Sequence, residues 1–138
     1  MRSSRRKKEK RIDLSIWVVQ AILSGILLMA GIMKILMDTE NLGQTIPWAL
    51  QIPAFLVKLI GLLEVLVAVG IILPSLLRYR PEWARYAALT LVVMMVTAIV
   101  YHIVKAEYMA IPGNVIYGVL AAYVAWGRWK RAPISPKA

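Results

Sequence analysis

Apolar residues fall into four long blocks along the chain, and short polar stretches rich in proline and glycine separate them. A helix needs about 20 apolar residues to cross the hydrocarbon core of a bilayer, and each block is long enough or nearly so. The pattern predicts spans at 14–37, 54–77, 84–106 and 114–129. Breaks fall at Pro53, at Arg80-Pro81-Glu82 and at Pro112-Gly113. The connections after the second and third spans are short, which makes their neighbours antiparallel. The 38–53 connection is longer, and with Gly43, Pro47, Trp48 and Pro53 it reads as an interfacial segment, Trp48 suiting the headgroup layer. The expected fold is therefore all-α: an antiparallel four-helix bundle integral to the membrane. A basic tail (1–11) precedes the bundle domain (12–130), and a second tail (131–138) follows it.

Within each span, small residues recur at helical spacing and mark the side that approaches another helix. In the first span Gln20, Leu23, Leu27, Ala30, Gly31 and Lys34 share a face, flanked by Ala21 and Gly25. Gly61, Glu64, Ala68 and Ile71 align in the second, and Ala84, Ala88, Leu91, Met95, Ala98 and His102 in the third. In the fourth, Asn114, Gly118, Ala121, Ala122 and Ala125 do so. Small and polar residues coincide on every stripe, so Gln20, Lys34, Glu64, His102 and Asn114 are expected to point into the bundle. For Gln20 and Asn114, interhelical hydrogen bonding alone is an equal explanation.

Charge adds orientation. Of the 17 Lys and Arg, seven lie in the first eleven residues and four in the last eleven, and Arg78, Arg80 and Arg85 sit around the second connection. With four spans these three groups share one side, while Asp38, Glu40, Glu107 and Lys105 lie on the other. The positive-inside rule then puts both termini in the cytoplasm. A net charge of +10 otherwise invites nucleic acid, but a basic tail beside an apolar span meets anionic headgroups instead, so no nucleic-acid partner is expected. The absence of cysteine excludes thiolate catalysis, iron–sulfur ligation and covalent haem attachment within this chain. A single histidine excludes a multi-histidine metal site in one subunit.

Glu64 stands out. It lies ten residues into its span, about 15 Å along the axis, where an ionised carboxylate costs about 3 kcal/mol. It must be protonated or paired, and intramembrane acids of this kind serve proton, ion or ligand chemistry. The plainer alternative is a protonated acid making one structural hydrogen bond. Lys34, Lys58 and His102 lie nearer the non-cytoplasmic ends. Snorkelling is expected of Lys58; Lys34 is divided between snorkelling and facing inward. These residues together outline a polar cavity open to the outer side and floored by Glu64, with Thr97, Tyr101 and Tyr108 as further hydroxyls on its wall.

The run Ala30-Gly31-Ile32-Met33-Lys34, the pattern Gly61-x-x-Glu64 through Gly70 to Pro74, the downstream His102 and Asn114 at the head of the fourth span resemble the DoxX-like family of small bacterial four-helix membrane proteins. The resemblance covers about 12–130. It implies a multi-pass protein of the bacterial inner membrane, in a family named from a subunit of a thiosulfate–quinone oxidoreductase. It also implies that Lys34, Glu64, His102 and Asn114 occupy the family's recurring polar positions, and that redox members work with partner proteins. Four readings follow. The first is an accessory or redox-linked subunit that binds a lipid-soluble ligand, quinone being the candidate cofactor, beside a partner oxidoreductase. The second is a proton-coupled transporter acting as a homo-oligomer through Glu64. The third is a purely structural membrane protein. The fourth is an isomerase using Glu64 and His102 as acid and base; a stand-alone enzyme is the less expected form.

Overall fold

The computed structural model describes all residues, Met1–Ala138, and contains helices and no strands. Four helical stretches are long and apolar enough to cross a membrane. The first, α1 (Arg2–Leu36), is followed by a short helix α2 (Thr39–Thr45) and a single 3-10 turn at Pro47–Leu50. Next come α3 (Ala54–Leu77), α4 (Trp83–Val104) and α5 (Ile111–Trp126), the last continuing as one π-helical turn over Gly127–Arg131. The four long helices form a closed ring: α1 packs most extensively on α3 and α4 on α5, while α3 meets α4 and α5 returns to α1. Both termini lie at one end of the bundle, hereafter the basic end; α2 and the 3-10 turn lie at the far end.

Two boundaries differ from the apolar blocks for simple reasons. Helix α1 starts at Arg2 instead of Leu14, because Arg, Lys and Glu are good helix formers and nothing in 2–13 breaks the ladder. About 18 Å of helix thus continues beyond the apolar span. Helix α5 starts before Pro112 instead of after it, with the proline in its first turn, where a missing N–H costs nothing.

Only 28 of 138 residues are buried, and large apolar side chains such as Leu59, Leu66, Val93 and Val119 are exposed on all sides. Such a surface is stable only with lipid as its solvent. This is a multi-pass membrane protein. Inside the ring, Leu23, Leu27, Val67, Ile71, Leu91, Met95, Ala121 and Val124 make one apolar core across the middle of the bundle. A smaller cluster of Leu42, Ala49 and Val57 seats the α2 segment on the far ends of α1 and α3. The predicted inner stripes are mostly the buried ones. Ala21, Gly25 and Ala122 are exceptions: they are exposed, and Ser24 and Val124 take the inward positions beside them.

Candidate functional site

Helices α1 and α3 cross in close contact at two glycines, Gly31 and Gly61. A Cβ added to Gly31 would stand 2.6 Å from the carbonyl oxygen of Gly61, and one added to Gly61 would stand 2.7 Å from Cβ of Lys34. Backbone therefore meets backbone, a contact only glycine permits. The two helices run in opposite directions, and helical side chains lean toward their own N-terminus. Lys34 on α1 and Glu64 on α3 consequently lean toward each other. The Lys34 ammonium donates to both carboxylate oxygens, at 3.0 Å to Oε1 and 2.9 Å to Oε2. The side chains are 5% and 10% exposed. The acid expected to be protonated or paired is paired, and Lys34 faces inward instead of snorkelling. Lys58 does reach the surface, where its ammonium donates to the Ile35 carbonyl oxygen at 2.8 Å, satisfying a group at the end of α1.

Above the pair lies the α2 segment. The Lys34 ammonium is 5.8 Å from the centre of the Trp48 ring, a cation–π distance. The site consists of a buried ion pair with an indole beside it. An ammonium has three N–H donors, two of which go to Glu64.

His102 is buried on α4, but its partner is not Glu64. Its Nδ1 donates to Glu107 Oε2 at 2.8 Å, the ring being the donor because a carboxylate can only accept. The Gln51 amide donates to the other oxygen of Glu107, and Tyr101 Oη donates to Gln51 Oε1 at 3.0 Å. These bonds tie the far end of α4 to the loop before α3. They hold the Glu107 carboxyl below its ordinary range, the His102 bond contributing most and Gln51 next. Asn114 is half-buried and makes no side-chain hydrogen bond. Thr97 is exposed, its hydroxyl turned to the Val93 carbonyl of its own helix, and Tyr108 is exposed too. These three are not walls of a common cavity with Glu64.

Gln20 belongs to a separate polar layer at the basic end. Its amide nitrogen donates to the Ile71 carbonyl at 2.6 Å and to Ser75 Oγ at 3.1 Å, and its oxygen accepts from Arg128 Nε at 2.8 Å. Arg128 also binds Asp13 at 2.6 Å and the Ala132 carbonyl at 2.8 Å, and its guanidinium lies 4.9 Å from the Trp17 ring centre. It is 4% exposed. By charge distribution alone, Arg128 belongs with the C-terminal cations that set topology. The missed signal was on the first span, where Asp13, Trp17, Gln20 and Ser24 form one polar stripe at helical spacing. The π turn carries Arg128 inward, and Gly127 makes room: a Cβ there would collide with the Ile16 side chain.

The model of the DoxX-like family matches residues 18–124, well over half the chain. No curated protein and no solved structure matches it. The matched region holds both glycines of the α1–α3 crossing, the Lys34–Glu64 pair, His102 and Asn114. On that match, over four membrane-spanning helices, the chain belongs to the DoxX-like family.

Proposed function

We propose that this chain is an accessory subunit of a membrane redox system, binding the polar head of a lipid-soluble molecule of the quinone type at the Lys34–Glu64 pair. Its basic end faces the cytoplasm of a bacterial inner membrane. The observation that carries this reading is the ion pair itself. A buried pair is a poor source of stability, because desolvation cancels most of the attraction and apolar residues would serve as well. Charges held at membrane depth are therefore best understood through what they bind or transfer.

The local chemistry fits such a head. The third N–H of Lys34 can meet a carbonyl oxygen, Glu64 can hold a proton, and the Trp48 face beside the ammonium suits a planar ring. A bound quinone would supply two-electron, two-proton redox capacity. An iron–sulfur cluster or attached haem would have to come from a partner oxidoreductase, since the chain has no cysteine and one histidine. Transport by proton coupling is less well supported: Leu23, Leu27, Val67, Ile71 and Leu91 form an apolar layer between the Lys34–Glu64 pair and the Gln20–Arg128 layer.

Purification in mild detergent, with quinone quantified by extraction and co-purifying proteins identified, tests the proposal. Wild type should retain quinone and should bind a short-chain analogue that quenches the Trp48 fluorescence; Glu64→Gln and Lys34→Met should lose both. Absence of quinone from wild type, with no quenching that Trp48→Phe removes, would sink it. Wild-type binding and partner recovery in Glu64→Gln and His102→Ala would leave the structural reading.

A further inference from the structure

A cavity remote from the ion pair lies at the basic end. It has a volume of about 650 Å³, within the range of small-molecule sites, and opens between the extension of α1, the last turn of α3 and the C-terminal tail. The tail is a fixed wall: Arg78 Nε donates to the Ser135 carbonyl at 3.0 Å, and the Lys137 backbone N–H donates to the Arg78 carbonyl at 2.8 Å. Arg6, Lys10, Arg78 and Arg131 line the cavity, and none of the four is in an ion pair. Two acids line it as well. Glu9 is engaged by Arg5 at 3.6 Å and Asp13 by Arg128 at 2.6 Å, and neither of those arginines lines the cavity. Asp13 is thus paired from outside the lining and Glu9 only by an exposed pair, while four cations that are in no ion pair border the space, Arg131 lying 5.7 Å from the centre of the Trp126 ring.

The floor carries neutral donors. Ser75 accepts from Gln20 through Oγ and keeps its own O–H to give, and the Trp17 indole N–H has no partner. Leu76, also on the lining, is 60% exposed and offers an apolar surface beside the cations. Cations for an oxyanion and an apolar strip leading away into the bilayer are what a phospholipid needs, and free phosphate would have no use for the second.

We propose that this cavity binds the phosphate headgroup of an anionic phospholipid, with Arg6, Lys10, Arg78 and Arg131 around the phosphate and an acyl chain descending along Leu76. Arg78 keeps the tail wall in place and is best left intact in a test. Native mass spectrometry of the full chain from mixed micelles of phosphatidylglycerol and phosphatidylcholine reads the preference directly. Wild type should retain phosphatidylglycerol and release phosphatidylcholine. The triple variant Arg6→Gln/Lys10→Gln/Arg131→Gln should lose affinity for phosphatidylglycerol by roughly a hundredfold. Arg2→Gln/Lys7→Gln/Lys8→Gln removes equal charge from tail residues that do not line the cavity and should lose far less. Equal losses in the two triples would reduce the effect to diffuse attraction and overturn the proposal. So would equal retention of the two lipids by wild type, a reading that does not depend on any variant folding. Displacement of phosphatidylglycerol by excess orthophosphate at constant ionic strength would assign the cavity to the free anion instead.

Discussion

Lys34 and Glu64 are thirty positions apart in sequence and joined by two hydrogen bonds in the fold. Removing either partner leaves the other charge buried without compensation, which costs about 3 kcal/mol or more. Replacing both with methionine removes the problem and the pair together. Lys34→Met and Glu64→Met are therefore each expected to lower the thermal midpoint in detergent markedly, and the double variant to recover most of the loss. Additive losses across the double-mutant cycle would mean the two side chains are not coupled. Arg128 shows the same physics at the basic end. Arg128→Lys keeps the charge but loses the fork that reaches Gln20, Asp13 and the Ala132 carbonyl at once. It should cost about 1–2 kcal/mol, measured as a drop in stability that Arg85→Lys, outside this network, does not reproduce.

At the level of helices, the α1–α3 crossing sets the geometry of the candidate site. A methyl group at Gly31 or Gly61 would meet backbone or Cβ atoms, which cannot swing away as a flexible side-chain end can. Gly31→Ala and Gly61→Ala should each destabilise by about 1–3 kcal/mol and part the Lys34–Glu64 pair. Gly25→Ala and Gly113→Ala, where an added Cβ meets nothing within 4 Å, should be close to neutral apart from helix propensity. This crossing also marks the limit of what the chain discloses when read in line. The four spans, their inward stripes and the exceptional position of Glu64 follow from hydropathy and spacing, because lipid allows few alternatives. Which residue on α1 stands level with Glu64 depends on the vertical register of two antiparallel helices, and spacing within one helix carries no information about that. Spacing alone therefore divides Lys34 between two fates. The π turn at Gly127–Arg131 was hidden for a related reason: Arg128 looks like its basic neighbours until the helix beneath it is rotated.

On the scale of the whole molecule, the hydrogen-bonded polar side chains gather in three places: the basic end, the Lys34–Glu64 pair and the far end. At the far end, Glu107 joins α4 to the loop before α3 through His102 and Gln51. Its carboxyl is held below the ordinary range, so its contribution to stability is complete above that range and is lost as pH falls through the lowered value. Acidification should thus destabilise wild type more than Glu107→Gln over that interval, as read by thermal unfolding at a series of pH values; parallel curves would remove the tie. Gln20 and Lys34 stand fourteen positions apart on α1, about 21 Å of axis, and Leu23, Ser24 and Leu27 are buried in that stretch. The buried side chains of this middle layer, Ser24 apart, are apolar, so it offers protons no continuous chain of hydrogen-bonding side chains. Proteoliposomes carrying the protein should hold an imposed potassium diffusion potential without acidifying, as empty vesicles do.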